Sequence, residues 1–327
     1  MPLLGHDHAV ATFMDAAHGG RLHHAWLLTG PGGVGKGSFA RLAARRLLAE
    51  ASGPAFDLPG LDVPATHPIT ALVEAESHPD LMILERTVDE KSGAQARSIT
   101  IDQVRGLQRL FATTGSYSSR RIVIIDAVDD LERGGANALL KNLEEPPADS
   151  LFLLISHAPG RLLPTIRSRC RTLRFKRLGD DVMTQILQAE LPEADAREIA
   201  ALAGAGERAP GRALAFAGLD IAGLDAAIDR LITEGDPSNS ERSALARSLA
   251  LKTSQPRYEA FLERAPARMA LEARNRLGAA LEQALALWEQ ARGLANGAVP
   301  LSLDPQATTF TLAGLLAAMA PASTRSR

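Results

Sequence analysis

A glycine-rich segment near the start of the chain has the residue types and the spacing that bind phosphate. Residues 30–38 read Gly-Pro-Gly-Gly-Val-Gly-Lys-Gly-Ser. Glycines let backbone N–H groups turn towards phosphate oxygens, and a lysine adds positive charge. A helix that begins at about Lys36 adds the positive end of its dipole. The predicted phosphate-binding residues are Gly30, Gly32, Gly33, Gly35, Lys36, Gly37 and Ser38.

The residue after the lysine departs from the pattern of loops that support ATP hydrolysis. Those loops place Ser or Thr there, because the hydroxyl is a ligand of Mg²⁺, whereas this chain has Gly37. Ser38 comes one position later and would point about 100° away on a helix. We therefore expect weak or unproductive ATP binding through the backbone and Lys36. Whether ATP binds at all stays open at this point.

A second acidic position follows an apolar run. Residues 121–126 read RIVIID, which places Asp126 at the end of a buried strand, where a carboxylate can hold Mg²⁺. ATPases of this kind follow that Asp with a Glu that activates water, but here the next residue is Ala127. Asp129 and Asp130 are near but out of register. The alternative is that Asp126 only ends a strand and caps a turn.

The elements that would position these residues follow from apolar periodicity. In the first half of the chain short apolar runs alternate with helical patterns, which predicts a parallel sheet with crossover helices. After about residue 177 only helical patterns remain. The predicted strands are residues 25–29, 81–84, 122–125, 151–155 and 172–175.

This pattern predicts an α/β phosphate-binding domain, a small helical lid domain and an all-α C-terminal domain. Prolines break the region 51–78, and the polar region 85–98 is predicted to be an exposed loop. The predicted boundaries are 1–177 for the nucleotide-binding-like domain, 178–217 for the lid, 218–320 for the helical domain and 321–327 for a disordered tail.

Bulk composition excludes several classes of protein. With 327 residues and a net charge of −2, the chain is not a wholesale basic DNA-binding protein, so nucleic-acid contact would need a local patch. The single cysteine, Cys170, gives neither a disulfide framework nor a four-cysteine zinc site. No secretory signal and no apolar run of about 18 residues is found, which predicts a soluble cytoplasmic protein.

Further motifs occur in a fixed order over the first 175 residues. Residues 137–147 read NALLKNLEEPP, residues 163–170 read LPTIRSRC, and His24-Ala25 and His78-Pro79-Asp80 flank the phosphate loop. In this combination the chain resembles the clamp-loader family of AAA+ proteins. The resemblance implies an AAA+ domain and a helical collar that assembles subunits into a hetero-oligomeric ring. Motor subunits of the family keep the two features that are lost at Gly37 and Ala127, which favours a non-motor subunit.

The resemblance also implies roles for three residues. Arg169 matches the position from which a subunit inserts an arginine finger into its neighbour's ATP site, where a guanidinium stabilises the transferring phosphate. Ser156 matches the residue that senses the γ-phosphate, and Arg212 matches the second sensor. The alternatives are surface arginines for Arg169 and Arg212 and a strand-end hydroxyl for Ser156.

Two local features stay open. Seven basic residues and no acid lie between positions 161 and 177, and they could contact DNA phosphates or the acids of another subunit. The family often has a zinc module between the first helix and His78, but residues 51–77 contain no cysteine, so no zinc or other metal site is predicted.

The predicted function is therefore that of an assembly subunit that helps to load the sliding clamp on primed DNA. It would work with motor and clamp-opening subunits as part of a DNA-directed DNA polymerase holoenzyme, a nucleotidyltransferase, without an active site of its own and without membrane contact. The alternatives are an ATP-hydrolysing motor of the same family and an unrelated phosphate-loop enzyme such as a kinase.

Overall fold

The computed structural model describes residues 3–88, 96–112, 118 and 120–321. The chain packs as two compact units, one of residues 1–192 with 206–212 and one of residues 193–205 with 213–327. The predicted three-domain boundaries stay a prediction. The predicted loop 85–98 lies partly outside the described residues, and so does the predicted tail, apart from Pro321.

The first unit contains a five-stranded parallel sheet. Its strands are β1 Ala25–Thr29, β2 Leu81–Glu85, β3 Arg121–Asp126, β4 Ser150–Ser156 and β5 Arg171–Arg174, in the order β2-β3-β4-β1-β5. Parallel strands that carry helices on both faces form continuous apolar runs, which explains why β3 and β4 are almost fully buried. The predicted parallel α/β fold is confirmed.

Helices of the first unit cover both faces of this sheet. They are α1 Asp7–His18, α2 Lys36–Ala51, α3 Pro68–Glu74, α4 Ile101–Arg105, α5 Leu107–Ala112, α6 Arg133–Glu144, α7 Pro164–Ser168 and α8 Asp180–Glu190. One buried cluster, with Phe13, Trp26 and Phe39, includes residues of α1 and α2. The cluster on the opposite face includes Val104 of α4 and Leu139 of α6.

Two local elements differ from the sequence-based expectation. Helix α3 lies in the region expected to be irregular, because Pro68 occupies its first turn and the side chain of His67 accepts a hydrogen bond from the Ile69 N–H. Proline is favoured in that position, where its missing N–H costs nothing. The expected capping box of Thr100 and Gln103 is present, but the helix that it begins ends at Gly106, and Leu107 starts a separate helix.

Arg46 organises the irregular segment between α2 and α3. Its guanidinium donates hydrogen bonds of 2.7 Å to the carbonyls of both Leu58 and Asp62, pairs with Glu50 at 2.6 Å and lies 4.8 Å from the centre of the Phe56 ring. No group of metal-binding side chains occurs in the described parts of the chain. The contacts of the buried Arg46 guanidinium hold this segment.

The second unit is helical. Its helices are α9 Ala196–Ala205, α10 Pro210–Ala215, which begins in the first unit, α11 Ile221–Glu234, α12 Ser240–Leu249, α13 Gln255–Ala273, α14 Gly278–Ala298 and α15 Pro305–Ala317. Leu224, Phe261, Met269 and Leu312 are buried in it. The predicted all-α C-terminal part is confirmed. Within the described ranges, no helix combines the length and the apolar character needed to span a membrane.

Candidate nucleotide site

The predicted phosphate loop connects β1 to α2. Its backbone needs glycine, because Gly33 and Gly35 have φ angles of +74° and +104°, a region that residues with a Cβ rarely adopt. Lys36 begins α2 and is only 2% exposed. Its ammonium donates hydrogen bonds to the carbonyls of Gly30 at 2.7 Å and Pro31 at 2.6 Å. The lysine is therefore held by the loop itself.

The charge of Lys36 is poorly compensated. Burial lowers the pKa of Lys36 to about 8, although Asp126 and Asp129 act in the opposite direction. Desolvation disfavours the charged form of a buried ammonium unless a counter-charge replaces the lost water. A phosphate group is a suitable counter-charge, so this end of α2 has the electrostatic character of an anion site.

The sheet register brings the second acidic position to the same edge. Asp126 at the end of β3 is in register with Ile155, and Ser156 at the end of β4 is in register with Thr29. Carboxyl ends of parallel strands form the ligand-binding edge of such sheets. Asp126 therefore lies next to the phosphate loop.

The space beside Gly37 is too narrow for an added Cβ as the structure stands. A Cβ added to Gly37 would lie 2.9 Å from Oδ2 of Asp126 and 3.7 Å from the Arg41 guanidinium. Real Cβ atoms essentially never approach another heavy atom to less than 3.0 Å. A side chain with a hydroxyl therefore fits at position 37 only if Asp126 moves.

Asp129 is a residue of this site to which the sequence assigned no role. It accepts hydrogen bonds from the Ser156 hydroxyl at 2.9 Å and from the His157 backbone N–H at 2.5 Å. Its carboxylate is thereby occupied by the end of β4. Asp130 pairs with Arg86 at 3.1 Å, and Ala127 is buried. Asp129 and Asp130 are thus each engaged by other described residues.

His157 also belongs to this edge, and the sequence analysis missed it. His157 is exposed, but the surrounding protein partly desolvates its ring and lowers its pKa below the usual value; Lys36 adds to that effect, and Asp126 and Asp129 oppose it. The one available signal was its place directly after Ser156 at a strand end. A largely neutral imidazole therefore adds little positive charge for phosphate at neutral pH.

The predicted second sensor lies against the phosphate loop. The backbone N–H of Gly211 donates to the Gly33 carbonyl at 2.8 Å, and a Cβ on Gly33 would lie only 2.7 Å from the backbone nitrogen of Arg212. The Arg212 side chain pairs with Glu207 at 3.0 Å. Burial acts to raise the pKa of Glu207, but Arg212 and Arg177 more than offset it and hold the pKa below its usual value.

Two histidines of the first 24 residues support the loop or its neighbours. His6 is buried and its Nε2 lies 2.7 Å from the Val34 carbonyl. His24, part of the His24-Ala25 motif, has its Nε2 3.2 Å from the Leu143 carbonyl and stacks on His23. Both histidines have hydrogen-bonded, structural surroundings.

Arg169 caps the end of α7. Its side chain is 35% exposed, pairs with Glu144 at 2.7 Å and donates to the Thr165 carbonyl at 3.0 Å. The hydrogen bonds and ion pairs that the described residues give Arg169 do not involve the phosphate loop. Burial raises the pKa of the adjacent Cys170 thiol to about 12, which suits a small hydrophobic residue and not a nucleophile.

Comparison with known proteins places these features in a family. The family model described as "DNA polymerase III, delta subunit" matches residues 5–179. DNA polymerase III subunit delta' of Pseudomonas aeruginosa is 37% identical over 194 residues, which cover 57% of this chain and 55% of that protein. The delta' subunit of Bacillus subtilis is 38% identical over 159 residues, 48% of this chain and 44% of that protein.

More distant likenesses extend further along the chain. The tau subunit of Bacillus subtilis is 29% identical over 273 residues, 80% of this chain and 45% of that protein. A gamma subunit-related protein of DNA polymerase III from Thermotoga maritima has a solved structure that covers 86% of this chain and 99% of its own, with 15% identity and a TM-score of 0.41.

The chain spans about half the length of the curated relatives that it matches. The family match nevertheless covers more than half of the chain, including the sheet, the phosphate loop and the segment with Arg169. The chain therefore belongs to the DNA polymerase III delta subunit family, and it resembles the delta prime subunits of the AAA+ clamp loaders.

Proposed function

We propose that this chain acts as a delta prime subunit of a clamp loader. It works with gamma/tau-type motor subunits and a delta subunit of DNA polymerase III to place the sliding clamp on primed DNA during replication. It hydrolyses no ATP of its own and supplies Arg169 to ATP bound by a neighbouring motor subunit. Two relatives named delta', at 37% and 38% identity, support this assignment.

The observation that carries the proposal is the absence of the two groups on which hydrolysis depends, at Gly37 and Ala127. ATP hydrolysis on a phosphate loop needs a hydroxyl ligand for Mg²⁺ and a residue that orients water. At position 37 the hydroxyl is absent and its space is narrowed by the Asp126 carboxylate, 2.9 Å from a Cβ position. The usual Glu is replaced by the buried Ala127, while Asp129 accepts hydrogen bonds from Ser156 and His157. These residues do not fit a catalytic magnesium ion.

Nucleotide binding without hydrolysis is compatible with the loop. Backbone N–H groups of the phosphate loop, Lys36 and Arg212 would hold the phosphates. Lys36 would exchange its bonds to Gly30 and Pro31 for bonds to phosphate, and Arg212 would share its charge with Glu207. Each exchange replaces an existing interaction, so the expected affinity is low.

The helical part of the chain serves assembly in this proposal. Residues 178–217 form the lid and residues 218–320 form the collar through which subunits join in a hetero-oligomer. Ala284, Ala291 and Ala298 of α14 are buried at intervals of seven residues, and Leu277 and Leu285 of the same region are exposed. In this proposal these exposed leucines become buried against a neighbouring subunit.

A second candidate function is that of an ATP-hydrolysing motor subunit. The observation in its favour is the match to a tau subunit over 80% of the chain. The chain also has the lysine and the strand-end acid of such a site, Lys36 and Asp126. This function requires that water or Ser38 replaces the missing Mg²⁺ ligand and that another group replaces the missing Glu.

Steady-state ATP hydrolysis separates the two functions. The purified chain is measured alone, and then with the motor and delta subunits, the clamp and primed DNA. We expect no turnover by the chain alone, and turnover in the mixture that falls at least tenfold with Arg169→Ala, in line with the roughly 10³-fold or larger effects of arginine fingers. Turnover by the chain alone that Lys36→Ala abolishes would identify a motor.

A further inference from the structure

Arg169 is held at the surface of the first unit by two different elements. The carbonyl of Thr165, in α7, accepts a hydrogen bond of 3.0 Å from one terminal nitrogen of the guanidinium. The other terminal nitrogen lies 2.7 Å from Oε1 of Glu144, the last residue of α6. Two anchors on opposite ends of the guanidinium restrict both the position and the plane of this group.

We propose that Glu144 is a positioning residue that orients Arg169 for its action on a neighbouring subunit's ATP. This inference rests on the function proposed above. It adds a second residue of this chain to the trans-acting site, on a helix that is separate in sequence from Arg169.

The support of Glu144 is rigid. Leu143 beside it is buried, and the Leu143 carbonyl lies 3.2 Å from Nε2 of His24. The helix ends at the following residue, where the Glu145 N–H donates to the Lys141 carbonyl at 3.0 Å and Pro146 begins the next segment. A side chain orients its partner well only when its own backbone is fixed.

Pairing with Glu144 leaves Arg169 able to bind phosphate. A guanidinium has five N–H donors in a fixed plane, and the two anchors occupy only part of them. An oxygen of a γ-phosphate can therefore bind to the remaining donors while Glu144 keeps its place. A guanidinium binds the oxygens of an anionic phosphoryl group with a more defined geometry than a lysine ammonium does.

The ion pair contributes more to orientation than to folding. The side chains of Arg169 and Glu144 are 35% and 47% exposed, and exposed pairs of this kind add little to stability. A long arginine side chain loses considerable rotamer freedom when it is fixed. If the folded subunit already restricts it, less of that entropy is lost when the transition state forms.

The predicted consequence is a change in turnover and not in ATP binding. Glu144→Ala is expected to lower kcat of the assembled complex about fivefold, which corresponds to about 1 kcal/mol. KM for ATP is expected to stay within about twofold, because an interaction that acts only in the transition state changes kcat without changing ground-state binding. Glu144→Gln, which keeps the length of the side chain without its charge, is expected to give an intermediate kcat.

The test is a double-mutant cycle in the complete complex, with the motor and delta subunits, the clamp and primed DNA. Glu144→Ala, Arg169→Ala and the double variant are compared by kcat and KM, and Glu145→Ala serves as the matched control at the neighbouring exposed acid. We expect Glu145→Ala to behave as wild type and the double variant to equal Arg169→Ala. Unfolding temperatures of the isolated variants are expected to agree within about 2 °C.

Failure of the inference and failure of the proposed function give different results. If Arg169→Ala leaves kcat unchanged, the trans-acting arginine is refuted and the role of Glu144 with it. If Arg169→Ala lowers kcat while Glu144→Ala equals the Glu145→Ala control, only the positioning role is refuted. An equal loss from Glu144→Ala in the presence and absence of Arg169 would also refute it, because Glu144 would then act through another group.

Discussion

Substitution of Gly37 by serine tests whether the loss of the Mg²⁺ ligand is simple to reverse. The added Cβ would lie 2.9 Å from Oδ2 of Asp126, so the carboxylate or the helix has to shift. The crowded atom is the end of a partly exposed carboxylate, so the cost is expected in the lower half of the about 1–3 kcal/mol that overpacking takes. Serine has a higher helix propensity than glycine by roughly 0.5 kcal/mol, and Gly37 does not have a positive φ. Because the steric cost is larger, we expect a net loss of stability of about 1 kcal/mol.

The assay is thermal unfolding of single and double variants. A loss of about 1 kcal/mol lowers Tm by about 2–4 °C in a unit of this size. In an Asp126→Ala background the crowding disappears and only the propensity term remains, so Gly37→Ser is expected to raise Tm. The matched control is Gly32→Ser in the same loop, where a Cβ meets no atom within 4 Å, and its expected change is within about 0.5 kcal/mol.

The decisive result is whether Gly37→Ser lowers Tm in the wild-type chain but raises it in the Asp126→Ala background. If Gly37→Ser raises Tm to the same extent in the wild-type chain and in the Asp126→Ala background, Asp126 does not crowd this position and the reasoning is refuted. The same variant is also expected to show no ATP hydrolysis by the isolated chain. Hydrolysis restored by this single change would mean that only the hydroxyl is missing from the site.

Two further predictions concern Arg46 and Lys36. Arg46→Ala removes the bonds to Leu58 and Asp62 and the contact with Phe56. We therefore expect the free energy of unfolding to fall by about 2–4 kcal/mol and hydrogen exchange at residues 52–67 to become faster. Arg45→Ala, at the partly exposed neighbour, is the control and is expected to change both quantities much less. The pKa of Lys36 is about 8 in the folded chain, below its unfolded value, so the unfolded state binds more protons between about pH 8 and pH 10. The stability of the wild-type chain relative to Lys36→Met is therefore expected to rise with pH in that window. A difference in unfolding free energy that does not change with pH would contradict a buried, poorly compensated ammonium.

The fold was predictable where local pattern and tertiary environment agree. Continuous branched apolar runs predicted β3 and β4, since a strand covered on both faces has no polar side to show. The capping box at Thr100 was also readable, because its two hydrogen bonds connect residues three positions apart. The glycine break at residue 106 and the helix that begins at Pro68 were not predicted, although both residues are common at helix ends.

The site was predictable only as a set of residue types. Spacing alone indicated the phosphate loop and Asp126, because the motif is contiguous and the strand end is a local feature. The bond from Ser156 to Asp129 and the pair of Glu144 with Arg169 connect residues 27 and 25 positions apart, and nothing in either segment specifies its partner. The crowding at Gly37 likewise depends on how closely β3 approaches α2.

The presence of a phosphate loop does not by itself indicate ATP hydrolysis, because the residues of the loop also form contacts that stabilise this chain. The Lys36 ammonium is bound by two carbonyls of its own loop, and the Gly33 carbonyl accepts the hydrogen bond of Gly211. A buried lysine without these bonds would carry an uncompensated charge. The hydrogen bonds from Lys36 to its own loop therefore matter for the stability of the fold, whether or not ATP is bound. The glycines are similarly required by positive φ angles and by the close approach of the Gly211-Arg212 backbone. If the chain hydrolyses no ATP, as we propose, a hydroxyl at position 37 and an acid at position 127 are not needed, whereas the rest of the motif is still needed for the fold. Arg169 has its anchors in α6 and α7 and contacts none of these residues, so the action on a neighbour that we propose for it does not depend on them.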